Sequence, residues 1–487
     1  MQSFIRSHRV ALWVYAFIFL FFSACTNNND VGTTAQRINR SSRIAASPQA
    51  NQFYVAQVEA AAQKLIDATP VSQRSQLIFP FDSTARYLGK DTTETPSFCA
   101  VLAWCLPGWG LQQCQMSQAQ LQAMHQLFSL SLSGGGYQTL TTILNRQRVI
   151  GEMEEVGETA TIQRGANQYP NLRAASVFDL PFVNKDSLRD FYANVGGGFP
   201  SDTGGYTNWV WNAPGLAERQ KQFCEYTLAI FGTVGSAEWG FRFEGHHITY
   251  NMTFIQDSTS GETHIHTTPL FFGAFPMLIP ETPYVPEDYQ KQWAWEKGQV
   301  LMYSVAHHLR QFWLALPAAQ RQRALIAPDS FPQAGPLLMD TPLPFMIASL
   351  DPTVDTATID AYPHIDLQAS ALSDQARWSL LQAFQYYIGA MNPNIGEDYL
   401  IRINQYLQSD STLTLSWAGR SLEETGSHHY SYLAVGDLLL EFLQGNQFAV
   451  QHDSTFTGNH VHSMLRDLSF DWADPMRQHH REDHQQE

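Results

Sequence analysis

EWGFRFEGHHITYNMTF (Glu238–Phe254), followed after a short polar turn by THIHTTPLFFGAFP (Thr263–Pro276), decides how the rest of the chain is read. Alternation puts Trp239, Phe241 and Phe243 on one face of a strand and Arg242 and Glu244 on the other. After Gly245 the phase inverts, and Ile248, Tyr250, Met252 and Phe254 become the apolar set. A one-residue slip turns every side chain over, so a continuous apolar face requires a bulge at Gly245 and His246. That bulge gathers His247 with Arg242, Glu244, Thr249 and Asn251 on a polar face. Neighbours on a strand point to opposite faces, so at most one of His246 and His247 points inward. Asp257–Gly261 reads as the hairpin loop and Thr263–Thr268 as the return strand. A histidine re-aimed beside a carboxylate marks a candidate site. It names no reaction.

The 487 residues hold roughly two to four average domains or one large one. Hydrophobic content of 44% is ample for a core, and charged content of 15% is low, as suits a secreted or envelope protein. With a net charge of -16 and no basic run, electrostatics argues against a nucleic-acid partner. Arg6 and Arg9 open the chain, a short apolar run follows, and Phe22-Ser23-Ala24-Cys25 ends it. The run is too short to span a bilayer comfortably and fits the h-region of a signal peptide. Its end resembles a bacterial lipobox, with Phe22 where Leu is usual. Residues 1–25 are therefore expected to be a lipoprotein signal peptide, with Cys25 as the lipidated residue and the lipid as the membrane contact. Thr26 after the cysteine resembles the sorting pattern for the outer membrane. An uncleaved anchor or an ordinary secretory signal is the alternative. Residues 26–51 lack periodicity and read as a disordered tether. Cys99, Cys105, Cys114 and Cys224 suit two structural disulfides in an oxidising compartment, or free thiols, and their spacing lacks paired CxxC.

Beyond the tether, helical spacing covers Gln52–Ala68, with Val55, Val58, Ala62 and Leu65 on one side. Ser117 and Gln120 form a capping-box pattern for a helix striped by Leu121, Met124, Phe128 and Leu132, which Gly134-Gly135-Gly136 should stop. A second helix is expected from Tyr137 to about Glu154. Gly196–Gly215 reads as a loop whose Trp209 and Trp211 suit packing, a lid or a glycan surface. Helical patterns return at Glu296–Leu316, Ala318–Ile326, Ser373–Gly389 (burying Leu381, Phe384 and Ile388) and Glu397–Leu407. Strand patterns return at Leu413–Gly419 and Tyr430–Leu443. Helices fill the middle and strands flank them. The expected fold is one α+β domain over residues 52–480, with 481–487 a polar tail. Its mixed, mainly antiparallel sheet joins mid-chain and C-terminal strands and packs with several helices.

The second cluster lies near the C-terminus. Glu441 sits inside the apolar run Leu438–Leu443, and burying a lone carboxylate costs several kcal/mol. It should therefore face Arg466, a histidine or a metal. In Asn459-His460-Val461-His462, an extended backbone puts both imidazoles on one strand face, the geometry by which two ligands chelate a metal.

Both clusters carry a resemblance to the domain-of-unknown-function 3500 family. The first phrase is Phe231-Gly232-Thr233, Trp239-Gly240, Gly245-His246-His247, then Thr268-Pro269, Phe271, Gly273 and Pro276. The second is Glu441, Asn459, His460, His462, Arg466, Asp467, Asp471, Asp474 and His479. Trp472-Ala473 departs from that pattern, Gly445–Gly458 looks like an insertion, and another alignment puts Gln451 and Asp453 in the acidic position. The likeness runs from about Phe79 to His480 with gaps, and it implies organisation without an activity.

Three readings remain open. His247, His460 and His462, with Glu441 or Glu244, hold a divalent metal such as zinc that activates water for hydrolysis. Alternatively the same groups do metal-free acid–base work, with Arg466 steadying an anion. In the third, His, Glu and Arg satisfy one another in a buried structural network, in a surface lipoprotein that binds a small molecule, glycan or peptide without turnover. Other histidines are weaker candidates: His264 and His266 adjoin a turn, His307-His308 sit on a helix, His428-His429 precede a strand that could reach the site, and His479 and His480 lie in the tail. No phosphate-binding glycine loop, nucleophile elbow or HExxH helix is present.

Overall fold

A computed structural model describes residues 48–83, 86, 110–146, 226–245, 247–274, 277–278, 299–326, 363–419, 421–445 and 460–471. For 48–51, 114 and 460 it describes the backbone alone. Outside the described residues lie the signal and the tether up to residue 47, Cys25, Cys99, Cys105 and Cys224, the Trp209/Trp211 loop, His246, Gln451, Asp453, Asn459, Asp474, His479 and His480, whereas 48–51, expected in the tether, are helical. The chain divides into two compact units, Met1–Tyr54 and Val55–Glu487, and the sheet belongs to the second.

Eight helices are described: α1 (Pro48–Ala68), α2 (Val71–Leu77), α3 (Gln118–Ser131), α4 (134–146), α5 (Tyr303–Ala315), α6 (Ala318–Ala324), α7 (Asp374–Ile388) and α8 (Pro393–Gln408). Twelve strands form one sheet: β1 (Ile78–Phe79), β2 (Leu111–Gln112), β3 (Thr227–Gly232), β4 (Glu238–Gly245), β5 (Ile248–Gln256), β6 (Thr263–His266), β7 (Leu270–Ala274), β8 (Ile365–Gln368), β9 (Thr412–Gly419), β10 (His429–Val435), β11 (Leu438–Gly445) and β12 (His460–Asp467). Their order is β1-β3-β4-β5-β7-β12-β11-β10-β9-β8, with β2 beside β3 and β6 beside β5. Only β1 with β3 is parallel among the described pairs. The fold is α+β, and β7 against β12 joins mid-chain to C-terminus as expected.

The expected bulge is a turn. Gly245 pairs with Ile248, so the chain reverses between them and the stretch is two antiparallel strands. Partners across such a turn have opposite parity, which inverts the apolar phase as a bulge would. Trp239 faces Phe254, Phe241 faces Met252 and Phe243 faces Tyr250, giving one apolar face all the same. Trp239 and Phe254 stack at 4.3 Å. Likewise Tyr430–Leu443 is two strands, reversed at Gly436-Asp437. Gly436 takes φ 59°, and a Cβ there would stand 2.6 Å from the Tyr406 ring.

That apolar face carries the helices. Phe128 of α3 packs on Phe243 at 4.8 Å, and Tyr250 donates its hydroxyl to Ser131 O at 2.8 Å. Tyr387 of α7 stacks on Phe272, and Trp313 of α5 donates Nε1–H to Ser431 Oγ at 2.8 Å. Each large apolar side chain buried here is worth about 1.5–3 kcal/mol. The Ser117–Gln120 capping box forms as its pattern indicated. The glycine run, expected as a stop, is instead the first turn of α4, where Gly136 N–H donates to Ser133 Oγ. On α7 it is Leu380, not Leu381, that is fully buried.

Candidate functional site

Residues directly opposite one another in an antiparallel pair share a face, so the register defines what lies on the side away from α3, α5 and α7. One row there reads Thr227, Glu244, Thr249, Phe271, Met464, Glu441, Tyr432 and Ser416, across β3, β4, β5, β7, β12, β11, β10 and β9. The next reads Gly273, His462, Leu443 and Tyr430. Arg242, Asn251 and Arg466 flank the first row on its other side. This is a polar face, and it is buried: His247 is 0% exposed, His462 5%, Glu441 1% and Glu244 8%.

The centre is the pair His247–His462. His247 sits in the turn between β4 and β5, and its carbonyl accepts the Gly273 N–H at 2.8 Å. His462 stands directly opposite Gly273 on β12. The two imidazoles meet with ring centroids 5.3 Å apart, edge to face, and Phe271 adds an edge contact to His462 at 5.2 Å. Gly273 makes this possible. A Cβ there would lie 2.6 Å from His247 Cδ2, 2.9 Å from His462 Cδ2 and 2.9 Å from Val461 O. Burial pulls His462 down to about 3, so its ring is neutral at physiological pH.

Among the described residues Glu441 pairs with no histidine and not directly with Arg466. Its Oε1 accepts the Tyr430 hydroxyl at 2.7 Å, and its Oε2 is buried with no hydrogen-bond partner among the described residues. Burial pushes this carboxyl up to about 8, with the Tyr430 hydrogen bond and the Arg466 charge pulling the other way. Arg466 instead gives Nε–H to Asp471 Oδ2 at 2.7 Å, and Asp471 Oδ1 also accepts the Asp467 N–H. Glu244 is held by Arg242 at 2.7 Å; burial pushes its carboxyl up and Arg242 draws it back. His460 occupies the position two before His462 on β12, opposite Gly445.

The structure therefore brings His247 and His462 together, puts Glu244, Glu441 and Arg466 on the same sheet face, and gives both arginines acidic partners. Tyr430 and the steric role of Gly273 went unread, because neither is visible until the register is known. His429 is a correction: it faces the helix side, bonding Ser431 Oγ at 2.6 Å near Arg310, and does not reach the site. His266 stacks on Phe470 in the strand beside the outer half of β5, and His307-His308 lie on α5. Among the described residues no three His, Cys, Asp or Glu side chains form a metal-holding group.

No helix among the described residues is long and apolar enough to cross a membrane. No curated protein and no solved structure matches the chain. One family does, described as proteins of unknown function (DUF3500), and its match covers residues 51–474, through both histidine segments and the whole sheet between them. The chain belongs to the DUF3500 family.

Proposed function

We propose that the polar face around His247 and His462 is the site of a hydrolase dependent on a divalent metal of the zinc class, in an extracytoplasmic protein lipid-anchored at Cys25 to the bacterial envelope, at its outer membrane. The observation that carries the reading is the pair of buried imidazoles, that of His462 held neutral by burial, leaning together over a glycine that leaves no room for a side chain. Neutral imidazole is the form that binds zinc, and a bound zinc supplies a water acidic enough to attack near pH 7. Catalytic zinc takes three protein ligands and keeps one position open. His247 and His462 provide two, and the reading makes His460 the third. Glu244, already neutralised by Arg242, is then a support for the turn that carries His247 rather than a ligand.

Purified protein, loaded with zinc and dialysed, should retain about one equivalent by elemental analysis, and His462→Ala should lose it. Wild-type protein that holds no metal after loading sinks the metal reading. Mass spectrometry of the N-terminus tests the anchor; an unmodified chain beginning at Met1 defeats it. One observation favours a second reading, a non-enzymatic surface protein binding glycan or peptide: Arg242–Glu244 and Arg466–Asp471 already satisfy each other, as a structural network would.

A further inference from the structure

Glu441 is the group on the polar face that the metal reading leaves without work. It is buried, one oxygen is fixed by Tyr430, and the other has no partner among the described residues. An ionised carboxylate in that setting would strand an acceptor with full negative charge, at several kcal/mol. A protonated carboxyl places a donor there instead, and a donor without an acceptor among the described residues is poised for one on a ligand. The groups facing it are Tyr430 and Tyr432 from β10, and Met464, flanked by His462 and Arg466, from β12. Among these, Tyr430 donates to Oε1, which leaves Oε2 as the oxygen that carries the proton.

We propose that Glu441, oriented by Tyr430, is the proton donor of this site and that the substrate class is an ester or amide with a basic leaving group. The proposal rests on the hydrolase reading above. In the step, the water oxygen bonds to the acyl carbon and the bond from that carbon to the leaving oxygen or nitrogen breaks. The leaving atom keeps the electron pair and takes the proton from Glu441 Oε2. The carboxylate that remains regains a proton from the attacking water, so the cycle closes without another reactant. Tyr430 is a positioning residue. It holds Oε1 so that the proton sits on the open side. Burial, which pushes the carboxyl up to about 8, keeps that proton in place at neutral pH.

Infrared difference spectra of the full-length protein test the proton. A protonated-carboxyl C=O band should be present at pH 7, vanish in Glu441→Gln, and titrate near pH 8. In Tyr430→Phe the midpoint should move up, because the lost hydrogen bond favours the ionised form. No Glu441-dependent band at pH 7 overturns the assignment. Transfer is tested with paired probe esters, one with a nitrophenyl and one with a simple alkyl leaving group. Glu441→Gln should slow the alkyl ester by about 10²–10⁴-fold and the nitrophenyl ester, whose leaving group needs no proton, far less. Equal loss on both, or no wild-type turnover of either, overturns the transfer step. Zinc content is read separately on the same samples. If zinc is absent while the band and the leaving-group dependence persist, the metal reading fails and the donor stands.

Discussion

His429 and His462 are two buried histidines on strands of one sheet, and they face opposite sides of it. His429 lies under α5, its Nε2 at 2.6 Å from a serine oxygen that Trp313 also holds, beside an Arg310 that donates to Ser427 O and Gln444 Oε1. Burial, reinforced by Arg310, pulls this imidazole well below its ordinary value. His462 is pulled down by burial too, but its ring meets another imidazole across a glycine. Burial and a shifted pKa are common to both. What separates them is the neighbour: a helix side chain that completes a packing network in one case, and a second ligand-type group in the other. A perturbed titration marks a site only in company with geometry.

That contrast breaks if variants on the two faces behave alike. The largest effect should come from Arg242→Met, which strands the buried Glu244 and should cost ~3–5 kcal/mol in a denaturant melt. A loss under 1 kcal/mol would mean that water reaches this face. Next is Gly273→Ala. The added carbon has both imidazoles and the Val461 carbonyl within 3 Å and nowhere to go, so overpacking should cost about 1–3 kcal/mol. Zinc retention should fall to background with it, and a variant that keeps full metal sinks the role given to Gly273. On the helix side, Ser431→Ala removes the oxygen shared by Trp313 and His429, for about 1–3 kcal/mol. Metal content should stay at the wild-type level there. If it falls, the two faces are coupled and the distinction drawn between the histidines is wrong.

Much of the architecture was legible because period and capping are local. Ser117 and Gln120 announce α3, the apolar stripes announce α5 and α7, and the inverted phase around Gly245 demands one apolar face however the chain achieves it. Whether that inversion is a bulge or a turn depends on what pairs with what, and pairing is a tertiary fact. The same gap explains the site. The sequence puts His462 on a face with His460 and Glu441 in an apolar run, but only the register between β12 and β7 sets His462 against Gly273 and His247. Arg466 looked like the partner of Glu441, and Asp471, five residues on in a turn, takes it instead. Tyr430 was unreadable as a partner, since nothing in the spacing of 430 and 441 says that a reversal at Gly436 brings them within reach.

The smallest effect, and the one that sharpens the comparison most, is the pH dependence of stability in metal-free protein. The His462 value is depressed to about 3, so between roughly pH 6.5, the ordinary histidine value, and pH 3 the unfolded chain binds a proton that the native state refuses. Stability is therefore lost as pH falls through that window. Glu441 acts in the opposite sense. Its carboxyl is raised from 4.5 to about 8, so between those values the native state holds a proton that the unfolded chain has released. Stability is fully present below 4.5 and is lost as pH rises toward 8. His429, also depressed, adds to the acid-side loss and not to the alkaline one. Glu441→Gln should weaken the alkaline limb, leaving the part contributed by Glu244 and Asp467, which burial also raises, and should leave the acid limb unchanged, whereas Ser431→Ala should leave the alkaline limb as it is in wild type. Urea melts at intervals across pH 4–9 resolve the two limbs. An alkaline limb of wild-type size in Glu441→Gln would place the titrating group elsewhere and remove the proton from the site.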